Sequence, residues 1–413
     1  MHYYRSKDSY LFSLEEYPEL VLANEEEVAS CDGTIYYLKS MPIMESRGCF
    51  SLTDASQLYN KTEGLQLLIK NNTSTIELPQ WLQHRITNRN ITVINTAYKQ
   101  WQELVGSKPP KKWRINLAGL GDVGGTLLVG LRLLGGDSIS SIGIYDRDIN
   151  KVNRWEYEIN QISDFQQTIR PSVGSVEYED IFDCDMFVFC IAARVPAIGE
   201  EGTDVRMVQF EANAKIITEY AALARQKCFK GIFAVVSDPV DPLCKAVLDA
   251  SNRDNNGTID YMGLTPEQIR GYGLGVMNAR ALYYAERISE LTHFKLEGRS
   301  YGPHGEDLVI ADSIKNYNQE KSLLLTEKAR TANLEVRRAG FKPYIAPALS
   351  SGALSLLSTI RGEWHYSATF MGGVYMGAKN RLLPTGTEVE ALELPLQLIE
   401  RLNKTYNRLR SIV

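Results

Sequence analysis

Gly119-Leu120-Gly121-Asp122-Val123-Gly124 is the stretch whose reading decides the fold. It has the spacing G-x-G-x-x-G. Alone that pattern is weak, because glycine-rich turns meet it by chance, but here the flanks give it a setting. Arg114 to Leu120 is apolar and reads as a strand leading in, and Gly125 to Leu134 reads as a helix leading out. In such a strand–turn–helix, Gly119 permits the tight turn, Gly121 lets a pyrophosphate approach the backbone, and Gly124 lets helix pack on strand. The N–H groups and partial positive charge at the helix start, around Asp122 and Val123, suit phosphates. The next strand ends in Ile144-Tyr145-Asp146, about twenty residues past the last glycine, where an adenine ribose diol would be hydrogen-bonded. A carboxylate there repels a 2′-phosphate, so Asp146 favours NAD over NADP, and Arg147 beside it weakens that preference. The plainer alternative is that Asp146 only caps its strand.

Working outward, Ile142 to Tyr145, Met186 to Ala192 and Ile232 to Val236 are near-continuously apolar. Such runs are typical of parallel strands buried on both faces, and their alternation with helices implies a doubly wound α/β sheet. Upstream, Gly106-Ser107-Lys108-Pro109-Pro110-Lys111-Lys112 is polar and cannot continue a helix, and reads as a linker. Before it, Thr34 to Leu38 and Ile91 to Ile94 read as strands, and Ala55 to Ile69 and Ala97 to Val105 as helices. No chemical motif lies there. The expectation is a small α/β extension over 1–110 for oligomerisation or domain packing, with a regulatory or substrate-covering role as the alternative.

The bulk numbers narrow the function classes. The chain has 413 residues, 44 % hydrophobic and 23 % charged, with a net charge of -5. That is ordinary globular composition, and it points to neither a nucleic-acid nor an anionic-membrane partner. No apolar run reaches the roughly 18 residues that cross a bilayer. Met1-His2-Tyr3-Tyr4-Arg5 lacks a signal-peptide core, so a cytoplasmic protein is expected. The cysteines (Cys31, Cys49, Cys184, Cys190, Cys228, Cys244) form no C-x-x-C pair, and are read as reduced structural thiols rather than metal ligands.

Four further segments, in chain order, resemble the lactate/malate dehydrogenase family. Cys190-Ile191-Ala192-Ala193-Arg194, leading through Gly199 to Arg206 and Asn213, resembles its mobile substrate loop and following helix. Val235-Val236-Ser237-Asp238-Pro239-Val240-Asp241 resembles its strand-end Asn-Pro-Val-Asp. Gly275-Val276-Met277-Asn278-Ala279-Arg280 resembles its Leu-Asp-x-x-Arg helix. Gly302-Pro303-His304-Gly305-Glu306-Asp307 resembles its Gly-x-His-Gly-Asp-Ser turn, and Gly340 to Ala348 and Gly362 to Lys379 its late helix and paired strands. The shared order is more specific than any one motif.

The resemblance implies a Rossmann domain over 111–270, then an α+β catalytic domain over 271–413. It implies His304 as the acid/base for the substrate oxygen, Arg280 as the grip on a substrate carboxylate, and Arg206 as the group that polarises the carbonyl. Arg194 joins Arg280 on the substrate side. It also implies a homo-oligomer, at least a dimer. Three positions depart from the pattern. The family's aspartate that orients the histidine falls at Met277, its asparagine before the proline is Asp238, and its small residue facing substrate aligns with Lys342. One consequence is that Asp238 partners His304 in place of the missing aspartate and Lys342 meets an anionic group. The other is that the chain has lost hydride transfer and keeps the cofactor for structure or sensing; the plainer alternatives for the two residues are core packing for Met277 and a surface lysine for Lys342.

The reading is therefore an NAD-dependent oxidoreductase for a 2-oxo/2-hydroxy acid pair. The alternatives are a non-catalytic dinucleotide-binding protein of the same fold, or an NAD-using glycosidase, which would need a metal-ligand arrangement not visible here. His2, His84, His293 and His365 have no such context; His365, in an expected strand, is read as structural.

Overall fold

The computed structural model of the chain describes residues 1–70, 76–193 and 203–412, and of 203–209 the backbone alone. The first sheet holds β1 (His2–Ser6), β2 (Ser9–Ser13), β3 (Val21–Leu22), β4 (Ile35–Lys39), β5 (Cys49–Ser51) and β6 (Ile91–Asn95), in the order β3-β1-β2-β4-β6-β5. β2, β4 and β6 run parallel. β4 is buried along its length because both of its faces are covered. Tyr37 packs with Phe12, Leu82 and Val93 on one face, and Tyr36 and Leu38 with Tyr4, Leu11 and Trp101 on the other.

Two helices expected in this region are corrected. Ala55 to Ile69 holds two short 3₁₀ turns, Ala55–Leu58 and Leu65–Leu68. Asp54 caps the first through Ser56 N–H, and the polar stretch Asn60 to Glu63 with extended Gly64 separates the second. The apolar spacing is real, but two separate turns bury it. Ala97 to Val105 likewise forms one 3₁₀ turn, Trp101–Leu104, around the buried Trp101. A segment that short gains little from helix propagation.

The second sheet holds β7 (Trp113–Ala118), β8 (Ile139–Tyr145), β9 (Ser172–Ser175), β10 (Met186–Phe189), β11 (Ile232–Val235) and β12 (Ile269–Gly271). After the small hairpin β13 (Arg299–Tyr301) and β14 (Val309–Ala311), the chain returns to it with β15 (His365–Met371), β16 (Val374–Leu383) and β17 (Gly386–Val389). The order is β17-β16-β15-β12-β11-β10-β7-β8-β9, with β7 to β12 parallel and β15 to β17 antiparallel. One sheet thus runs through the position 270/271. Met186 and Val188 face Leu127 and Leu131 of the Asp122–Leu134 helix, while Phe187 and Phe189 face Tyr220 and Phe233. Both faces of β10 are therefore apolar, which is why its sequence does not alternate.

The order reverses between β7 and β10. In open α/β sheets a ligand crevice forms at that switch point, outside the strands' carboxyl ends. The N-terminal sheet sits at the other end. Gly48 and Cys49 N–H donate to Glu267 at 2.8 and 3.0 Å, just before β12 begins. Ser51 Oγ meets Thr385 Oγ1 at 2.9 Å, and Arg89 pairs with Glu388 on β17 at 2.9 Å. β17, otherwise a free edge, is covered by this contact.

Candidate active site

The glycine turn has little room to vary. Gly119 takes φ +96°, and a Cβ there would lie 2.9 Å from the backbone of Cys190 and Ile191. A Cβ on Gly124 would lie 1.8 Å from Gly119 O. At Gly121, by contrast, a Cβ would meet nothing within 4 Å, so its outer side is open. Gly121 is the N-cap of the Asp122–Leu134 helix and gives that helix no side-chain cap. The first N–H groups therefore face the opening, as a pyrophosphate requires. Asp146 is largely enclosed. Its Oδ2 accepts Leu120 N–H at 2.8 Å and its Oδ1 accepts Asp148 N–H at 3.0 Å, which ties the carboxylate to the turn. Arg147 points to Glu219, 3.6 Å away on the Thr203–Gln226 helix. These residues fit an NAD pyrophosphate and ribose.

A row of contacts leads from this turn along the strand ends. Gly119 packs on Cys190 and Ile191 after β10, and Ser237 Oγ after β11 donates to Ile191 O at 2.7 Å. Buried Asn213 joins the same two loops: its Oδ1 accepts Ala193 N–H at 2.7 Å, and its Nδ2 donates to Asp238 O at 2.8 Å. The Asp238–Pro239 peptide is cis. Asp238 Oδ1 lies 2.8 Å from His304 Nδ1; the imidazole is 17 % exposed and the carboxylate 49 %. Behind the ring, a Cβ on Gly273 would come 2.7 Å from His304 Cβ, so the His304 turn rests on bare backbone.

Asp241 holds that turn from below. Burial pushes its carboxyl up to about 8, against the backbone N–H groups of Asp241 itself, His304 and Gly377, which it accepts. Arg280, on the Leu274–Ala285 helix, is partly buried, with Nη1 at 3.5 Å from Met277 Sδ. Burial lowers its pKa, while the negative charge of Asp238 acts the other way. Asp238 therefore stands electrically between His304 and Arg280. His365 opens β15, is buried, and is pushed down to about 3 by that burial, as a neutral structural residue.

The structure thus brings His304, Asp238 and Arg280 together. Lys342 lies elsewhere: its Nζ is 3.1 Å from Asp122 Oδ2 at the glycine turn. Arg194 lies outside the described residues. Arg206 falls within the Thr203–Gln226 helix, and its side chain is outside them too. Sequence reasoning gave no role to Asp241 or Ser237, although both lie in the quoted strand-end motif, and named Asn213 only as a landmark. Among the described residues no group of three or more His, Cys, Asp or Glu could hold a metal ion.

Residues 113–260 match the family model described as lactate/malate dehydrogenase, NAD binding domain. Over those residues the chain is similar to the NAD-binding domain of the lactate/malate dehydrogenase family. It is similar to the L-lactate dehydrogenase of Mesomycoplasma hyopneumoniae strain 232, 27 % identical over 205 residues, which are 49 % of this chain and 58 % of the relative. The chain therefore spans less than two thirds of that relative's length. An L-lactate dehydrogenase of Staphylococcus epidermidis is 21 % identical over 271 residues, covering 59 % of this chain and 81 % of the relative. Among solved structures, a lactate dehydrogenase from a Medee basin deep-sea metagenome library superposes with TM-score 0.59 at 18 % identity, over 73 % of this chain and 98 % of that one. The malate dehydrogenase of Picrophilus torridus gives 0.58 at 19 %, over 72 % and 96 %. These likenesses establish the lactate/malate dehydrogenase fold, and the family's cofactor is NAD.

Proposed function

We propose that this chain is an NAD-dependent oxidoreductase that interconverts a 2-oxo acid and the matching 2-hydroxy acid. The observation that carries it is the His304–Asp238 pair, 2.8 Å apart at the strand ends and joined by contacts to the glycine turn, with Arg280 beside it. When bound, NAD supplies the hydride for reduction or accepts it in oxidation. His304 delivers a proton to the substrate oxygen during reduction and removes it during oxidation. With Nδ1 held by Asp238, Nε2 is the atom left for that transfer. Asp238 orients the ring through its contact with Nδ1, the work that the family's aspartate does from the position of Met277. Arg280 grips the substrate carboxylate with its planar fork, and partial burial limits how far water screens it. Arg206 polarises the carbonyl and Arg194 contributes to substrate binding.

The test is calorimetric NAD binding followed by turnover with a panel of short 2-oxo and 2-hydroxy acids, starting with lactate and malate. Turnover with at least one acid, lost in His304→Ala, is the expected result. NAD binding without turnover on any acid overturns it.

In the same reading Asp146 binds the adenine ribose. Asp146→Ala removes charge-assisted hydrogen bonds, and weakens NAD by about tenfold to a hundredfold. NADP, repelled by that carboxylate, loses far less. Equal losses for both cofactors would take Asp146 out of the ribose site.

We also infer a cytoplasmic homo-oligomer. Light scattering at micromolar protein should give at least twice the chain mass of 46.5 kDa, and a particle of 46.5 kDa contradicts it.

A further inference from the structure

Asp122 is the first residue of the helix whose N-terminus meets the cofactor phosphates. A carboxylate there borders the place where the pyrophosphate would lie, and the two negative charges repel. The neutralising charge comes from far along the chain. Lys342 Nζ lies 3.1 Å from Asp122 Oδ2, with side chains 67 % and 51 % exposed. Lys342 sits on the short connector between the Gln319–Arg338 helix and the π-helical turn Pro347–Ala353, just after Gly340, which takes φ +85°. This connector is not free to place its lysine at random. The turn that follows it packs tightly on the same helix that Asp122 opens: a Cβ on Gly130 would lie 2.6 Å from Ala353 Cβ, and one on Gly352 2.7 Å from Leu127 Cδ1. The packing therefore sets the connector beside the glycine turn, where Lys342 meets Asp122.

We propose that Lys342 is a cofactor-binding residue. Its ammonium holds Asp122 in the free protein and reaches the pyrophosphate when NAD binds, so that it serves the cofactor rather than the substrate. The proposal rests on NAD binding at the glycine turn. The exchange is easy because an exposed ion pair is only weakly held, whereas a phosphate offers the ammonium several strong acceptors. Gly121, open on its outer side, leaves the space in which backbone N–H groups and the ammonium meet the same phosphates.

Calorimetry on the full chain with NAD and with ADP-ribose tests this at two salt concentrations. ADP-ribose keeps the pyrophosphate and lacks the nicotinamide. Lys342→Ala is expected to weaken both ligands alike, by about threefold to tenfold, and to flatten the salt dependence, as loss of one exposed charge contact should. Lys342→Arg should stay near wild type, and Asp122→Asn should tighten both ligands. If Lys342→Ala leaves both affinities unchanged, or weakens NAD and spares ADP-ribose, the proposal fails while the NAD reading stands. If the wild-type chain binds neither ligand, the NAD reading fails and this proposal falls with it.

Discussion

Asp238→Asn is expected to lower turnover by about a hundredfold to ten-thousandfold, the usual cost of losing positioned acid catalysis. The variant is nearly isosteric, and the Asn213 bond goes to the backbone carbonyl of residue 238 rather than to its side chain, so the loop should keep its place. What disappears is the negative charge 2.8 Å from His304 Nδ1. Without it the ring loses the acceptor that orients it and leaves Nε2 to face the substrate. The loss should fall on turnover, while NAD affinity changes little because the dinucleotide turn is untouched. Met277 makes the prediction sharper. Its neighbour Arg280 touches a thioether where the family has an acid. If the carboxylate has moved from that helix position to the strand end, Met277→Asp in the Asp238→Asn background should recover part of the lost rate. The readout is steady-state NADH oxidation across pH with the acid that turns over. An unchanged rate in Asp238→Asn would remove the residue from catalysis.

What the sequence shows of this site depends on how local the signal is. The strand, turn and helix around Gly119 are legible because each glycine answers to a backbone approach that a Cβ would block, such as Gly124 against Gly119 O. Asp238 and Met277 stand out as departures within ordered motifs. That Asp238 and His304 touch depends on β11 and a distant turn meeting at Gly273, which no spacing encodes. Lys342 is harder still. Order alone places it facing substrate, while the packing of Gly130 on Ala353 carries its connector to the phosphate turn. In the first hundred residues the helical spacing of Leu58, Leu65 and Leu68 is genuine, yet separate turns bury these leucines in two different cores. The β1–β2 hairpin, pairing His2 with Ser13 through Ser6 with Ser9, has short polar and aromatic strands that sequence patterns underweight.

Arg47→Met is expected to destabilise the chain by about 3–5 kcal/mol, because it strands a buried carboxylate without its cation. Arg47 and Glu63 side chains are 2 % and 3 % exposed. Arg47 Nη2 lies 2.6 Å from Glu63 Oε1, Nε reaches both carboxylate oxygens at 3.0 Å, and the Arg47 backbone N–H donates to Oε2 at 3.0 Å. The same guanidinium donates to Thr387 O on β17 at 3.4 Å, so this pair also holds the N-terminal sheet to the edge of the second one. Replacing both partners, Arg47→Met with Glu63→Leu, should restore much of the loss, since a buried ion pair exchanged for apolar side chains of similar size is often neutral. Urea unfolding of the two variants measures this. A single-variant loss below about 1 kcal/mol, the scale of an exposed pair, would contradict it. The pair's contacts run to β17, not to the glycine turn or to His304. NAD affinity measured below the unfolding transition should therefore match wild type in both variants. A fall in affinity that tracks the loss of stability would instead tie the N-terminal sheet to the cofactor site.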